Sequence, residues 1–114
     1  MKTFPSSGRA NFLQGTLDLL ILKALQLEPL HGWGISKRIR QLSRDVLQIN
    51  QGSLYPALYR LEDDSLIAAN WGVSPDGRRA KFYRLTARGR RRLEAERSDW
   101  QVFTGAVAHI LDAD

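Results

Sequence analysis

A mainly α-helical fold with one small β-hairpin is predicted by three observations. Apolar residues recur at helical spacing through four separate stretches of the 114-residue chain. Two segments rich in β-forming residues flank a Ser74-Pro75-Asp76-Gly77 turn. Directly after that turn, eight basic residues fall between Arg78 and Arg92 with no acidic one among them. Those cations begin at a hairpin tip and continue into a helix start, whose partial positive charge disfavours them. Local helix physics does not explain the run; an anionic partner does.

The first helix is expected from about Phe12 to Leu27, after a flexible arm over residues 1–11 that carries Lys2 and Arg9. Leu13, Leu17, Leu20, Ala24 and Leu27 form one stripe, while Leu19, Ile21, Leu22 and Leu25 fill other faces. A helix apolar almost all round must be covered on a second side, and a second subunit is the expected cover. Pro29 ends it. Gly32 to Ser43 then reads as a short amphipathic helix, with Ile35, Ile39 and Leu42 inward and Lys37, Arg38, Arg40 and Gln41 outward.

Val46 to Asn50 is short enough for a brief strand. The following helix runs to about Asp64 on a Leu54, Leu58, Leu61 stripe. Pro56 lies early in it, which favours Ser53 as N-cap or a distorted first turn; an Asn50 cap would cost the helix an internal hydrogen bond. Leu66–Val73 and Ala80–Leu85 form the hairpin, since Pro fixes φ and Gly accepts positive φ in the turn between them. Thr86 is a good N-cap for a last helix to about Leu111. Along it Leu93, Trp100 and Val107 alternate with Glu96, Phe103 and Ile110, a seam suited to a second chain. The architecture is a winged helix-turn-helix (residues 12–86) plus a long C-terminal dimerisation helix (87–114).

Composition narrows the function. The formal charge is +5 and the pI 10.1, above the pI of about 9 that marks nucleic-acid-binding domains. With no cysteine and two separated histidines, His31 and His109, no metal or other cofactor is expected. The longest apolar stretch, Leu19–Leu22, is too short to cross a bilayer, and the N-terminus lacks a signal-peptide core, so a cytoplasmic protein without membrane contact is expected. No catalytic constellation stands out, and no enzymatic activity is expected.

Four pieces of sequence in this order resemble the PadR family of bacterial transcriptional regulators. They are Leu13 to Leu22 (LQGTLDLLIL), His31 to Ile35 (HGWGI), Gln51 to Glu62 (QGSLYPALYRLE) and Tyr83 to Gly89 (YRLTARG). The resemblance covers roughly residues 12–111. It implies a homodimeric winged-helix repressor of the short type, with one C-terminal helix instead of a separate effector domain. The chain departs from the family where a glycine usually precedes the first wing strand: here stands Asp63-Asp64-Ser65.

The expected partner is double-stranded DNA, read by the third helix and gripped by the wing. With Leu54, Leu58 and Leu61 inward, Gln51, Ser53 and Arg60 are candidates for base edges, with Asn50 beside them at the helix start; Tyr55 and Tyr59 are candidates for phosphate oxygens. The rival for Tyr55 is a ring packed inside with its hydroxyl out, and for Arg60 an ion pair with Asp63 or Asp64. Arg78, Arg79 and Lys81 are the wing's phosphate or minor-groove candidates, and Lys37 a backbone candidate. The expected dimer interface comprises Leu17, Leu20, Ile21, Leu93, Trp100, Phe103, Val107 and Ile110. In one multidrug-binding branch of the family a tryptophan of this helix sandwiches flat aromatic ligands, which makes Trp100 and Phe103 candidates for a small aromatic effector; plain interface packing is the alternative. His31 is expected to cap or pack, and His109 to lie on the surface. A two-fold dimer calls for an inverted-repeat operator with half-sites near ~10 bp apart. The alternative function is a dimeric ligand-binding or protein-interaction module with only non-specific DNA affinity.

Overall fold

A computed structural model describes residues 10–114, with side chains from residue 15. Of the arm expected over residues 1–11, residues 1–9 with Lys2 and Arg9 lie outside the described residues, as does the Leu13 side chain, while residues 10 and 11 belong to the first helix. The elements are α1 (Ala10–Ala24), β1 (Leu30–His31), α2 (Gly32–Leu42), α3 (Gln51–Asp63), β2 (Ile67–Val73), β3 (Arg79–Leu85) and α4 (Ala87–Leu111). Mainly helical, with one small antiparallel sheet of order β1-β3-β2, the chain has the fold class its sequence predicts.

One core holds it together, built from Ile21, Leu22 and Leu25 of the α1 region, Ile35 and Ile39 of α2, Leu54, Leu58 and Leu61 of α3, Leu66 and Ile67, Tyr83 and Leu85, and Leu93 of α4. Two interface expectations are corrected here. Ile21 is 0% and Leu93 1% exposed within their own subunit, so neither can reach a partner. The apolar faces of α1 are covered chiefly by α2, α3 and α4 of the same chain. Leu17 and Leu20 are only partly buried against the core. α1 also stops at Ala24, leaving Leu27 outside it and exposed.

Val46–Asn50 is not a strand. The backbone leaves α2 through left-handed residues, Arg44 (φ 55°) and Asp45 (φ 66°), with Arg44 N–H on Gln41 O and Asp45 N–H on Arg40 O, a Schellman ending. Leu47 and Ile49 then pack against the core as irregular chain. The extra strand lies elsewhere: Leu30 and His31 pair with Tyr83 and Phe82 of β3. His31 also caps α2, its Nδ1 accepting from Gly34 N–H at 3.0 Å while its ring lies tilted against Phe82, with centres 5.3 Å apart.

The cap of α3 differs from expectation. Asn50 is the N-cap, its Oδ1 accepting from Ser53 N–H at 2.8 Å, and Pro56 stands inside the helix. The proline removes the bond to the Gly52 carbonyl, which the exposure of Gly52 leaves open to water. At the other end Ser65 occupies the left-handed position (φ 60°), with Ser65 N–H on Glu62 O and Leu66 N–H on Leu61 O. A non-glycine residue there is strained. Ser65→Gly is expected to stabilise the fold by about 1 kcal/mol, seen as a raised denaturant midpoint with unchanged slope.

Thr86 ties this junction to α4. Its Oγ1 donates to Ser65 O at 2.7 Å and accepts from Gly89 N–H at 3.0 Å, which caps the helix. The first turns of α4 thus lie on their own domain, so the seam expected to face a second chain does not begin at Leu93. From Gln101 onward the picture reverses, because every residue to Asp114 is exposed.

Candidate nucleic-acid interface

The wing is shaped by its turn. Gly77 sits at φ +83° and donates to Ser74 O at 2.9 Å, while Ser74 N–H bonds Arg78 O at 2.7 Å. Ser74 Oγ also donates to the Asp76 carboxylate, which holds Asp76 below the usual carboxylate range. Strand register then fixes which side chains share a face: Val73 pairs with Arg79, Trp71 with Lys81 and Ala69 with Tyr83. Trp71, Arg79, Lys81 and Tyr83 line one face of a cleft of about 890 Å³. Its other walls are Tyr55 and Tyr59 of α3, His31 of β1, and Gly32, Trp33 and Lys37 of α2.

Most of the expected DNA-binding residues lie in or beside this cleft. Lys37, Tyr55, Tyr59, Arg78, Arg79 and Lys81 line it. Gln51 and Ser53 are exposed at the start of α3, next to the wall that Tyr55 and Tyr59 provide. Asn50 is exposed too, with its side-chain oxygen committed to the cap. Tyr59 is 71% exposed. Tyr55 is placed opposite to its expected rival: its hydroxyl end lies against Gly32, where any Cβ would collide with it, and its ring is partly open. Gly32 is therefore part of the site's construction.

Arg60 and Lys81 carry partners the sequence did not reveal. Arg60 Nη2 lies 2.9 Å from Asp18 of α1, forty-two residues away, instead of pairing with Asp63 or Asp64. It tethers α3 to α1 and is not free to search for a base. Burial raises the Asp18 pKa and outweighs the lowering by Arg60. Asp18 therefore holds its proton more tightly folded than unfolded, and its contribution to stability declines as pH rises from the ordinary carboxylate value through the raised one. Lys81 donates to Glu62 at 3.1 Å, and this bond raises its pKa.

A second concavity of about 380 Å³ lies between α1 and α4, lined by Gly15, Thr16, Leu19, Glu96, Asp99, Trp100 and Phe103. The two expected effector residues meet there, their ring centres 5.8 Å apart. Burial raises the Glu96 pKa, despite Arg92 at 3.6 Å. Beyond this groove Val107 and Ile110 continue the seam, exposed. His109 is exposed as expected. No helix among the described residues is long and apolar enough to cross a membrane.

Sequence reasoning missed Trp33 and Trp71, which are 62% and 61% exposed and line the cleft. Their signal was an aromatic beside a glycine, which periodicity alone assigns to no face.

A three-helix core, a winged hairpin and a basic cleft beside the third helix define a winged helix-turn-helix protein. The chain belongs to the PadR-like family of transcriptional regulators, whose family model matches residues 21–95. It is 32% identical over 104 residues to the uncharacterized protein X of Lysinibacillus sphaericus, covering 91% of this chain and 92% of that one. It is 35% identical over 86 residues to the transcriptional regulator Rv3488 of Mycobacterium tuberculosis, covering 75% and 77%. A PadR-like transcriptional regulator from Bacillus cereus has a similar structure, with a TM-score of 0.77 at 26% identity over 91% of this chain and 99% of that one. Transcriptional regulation is a non-enzymatic role.

Proposed function

We propose that this protein is a homodimeric, sequence-specific DNA-binding repressor acting in the cytoplasm, relieved by a small aromatic effector. The observation that carries the reading is the cleft that sets Tyr55 and Tyr59 of α3 beside Arg79 and Lys81 of the wing, with Arg78 at its tip. Small residues at the front of α3 admit it to a major groove, where Gln51 and Ser53 can meet base edges. The wing's cations would then lie on flanking phosphates or in the minor groove.

Dimerisation is supported by α4. Val102, Phe103, Val107, Ile110 and Leu111 are all exposed in the isolated chain, and a stripe of that size asks for cover. A second copy supplies an identical stripe and the two-fold symmetry an inverted-repeat operator requires. A flat aromatic molecule seated against Trp100 and Phe103 would bear on the α1–α4 contact and so on the spacing of the two α3 helices. Repression would follow from occlusion of polymerase.

Arg78→Ala with Arg79→Ala tests the wing. The double variant is expected to bind all duplexes more weakly, and its log-affinity against log-salt slope should flatten by about 0.9 for each phosphate that is no longer neutralised. An unchanged slope would take the wing off the DNA.

A further inference from the structure

The cations lining the cleft fall into two chemical groups. Lys81 is paired with Glu62, even though it also lies 5.5 Å from the Tyr83 ring centre, and Arg78 has Asp76 at 3.8 Å. Lys37 and Arg79 form no ion pair among the described residues. Each lies over an indole instead: Lys37 Nζ is 5.1 Å from the Trp33 ring centre, and Arg79 Cζ is 4.6 Å from that of Trp71.

The two kinds of partner do different things to a cation. A carboxylate cancels its charge, whereas the face of an indole attracts it and leaves the full positive charge in place. An indole-held cation is therefore ordered yet still available to an anion. Both tryptophans are mostly exposed, and both line the cleft that Tyr55 and Tyr59 share, Trp71 from the wing and Trp33 from α2. Core packing does not account for either.

We propose that Trp71 and Trp33 are positioning residues for DNA binding, each holding a full cationic head, Arg79 and Lys37 respectively, ready for a phosphate on either side of the groove that α3 enters. This rests on the DNA-binding reading given above. Trp71 acts through Arg79, and Trp33 through Lys37.

The test uses the whole chain and a random-sequence duplex of about two helical turns, because phosphate contacts carry no sequence information. Trp71→Ala is expected to weaken binding about threefold in the unmodified protein and not at all when Arg79 is already alanine. Trp33→Ala should show the same dependence on Lys37, while the crossed pair Trp33→Ala with Arg79→Ala should give the product of the two single effects. Trp71→Leu, which keeps apolar bulk and lacks a ring, should bind like Trp71→Ala, and Trp71→Phe should recover part of the affinity; these two separate failed positioning from a damaged strand. An equal weakening with and without Arg79 would overturn the proposal, since the indole would then act on DNA by itself. No weakening in either background would overturn it too. If the unmodified protein showed no salt-dependent binding to the duplex, it is the DNA-binding reading that would fall.

Discussion

Replacing Gly89 by alanine is expected to lower stability by about 3 kcal/mol or more. A Cβ at this position would overlap the Leu66 carbonyl oxygen and press on Leu85 Cδ2. The carbonyl is held in place, because it accepts from Thr86 N–H at 3.2 Å. Relief requires α4 to shift away from the α3–β2 junction, which would open the site that buries Leu93. Domains of this size are stable by only about 5–15 kcal/mol, so the melting temperature should fall by at least about 10 °C. Gly105→Ala is the control: nothing lies near its Cβ, it points away from Phe103 on the same helix, and alanine should gain up to about 1 kcal/mol in helix propensity. Equal melting of the two variants would mean that α4 is not seated as described.

Val107→Glu with Ile110→Glu should convert a dimer to a monomer while leaving the fold intact. Both residues are exposed in the isolated chain, so two carboxylates cost the subunit little. In a two-fold seam each glutamate would face its mate or an apolar surface, and burying unpaired charge there is prohibitive. Sedimentation should show the monomer mass with unchanged far-ultraviolet circular dichroism. Operator affinity should drop by about 10² or more, because the second half-site is no longer bound as an intramolecular event. A variant that stays dimeric would show that some other surface pairs the subunits.

The elements that could be read from sequence were those whose signal is local. The Leu54, Leu58, Leu61 stripe, the Ser-Pro-Asp-Gly turn and the Thr86 cap each declare themselves within a few residues, and all three stand where expected. What was not legible depends on distant partners. β1 is two residues long and exists only because β3 lies beside it. Arg60 had near neighbours to pair with, yet Asp18 wins; an acid on another helix leaves no trace in the spacing around residue 60.

Periodicity also states that a face is apolar without saying what covers it. Ile21 and Leu93 carried the same signal as Val107 and Ile110, and only the fold separates core from free seam. At α3 two local rules competed. Asn50 as cap satisfies the Ser53 N–H, and Pro56 inside the helix then leaves the Gly52 carbonyl without a helical donor. The exposed start of the helix makes that loss small, since water can replace the bond. Most of the candidate binding residues, by contrast, could be read directly, because the turn and the strand alternation place the basic residues of the wing once the register is known.

Sequence-specific binding is decided by selection of bound duplexes from a random-sequence pool, followed by titration of the enriched duplex against a scrambled one at two salt concentrations. An enriched inverted repeat with half-sites about 10 bp apart is expected, preferred over the scrambled duplex by at least about 10³. Failure to enrich any sequence, with equal binding to both duplexes that vanishes as salt rises, would contradict it and leave a basic module without sequence recognition.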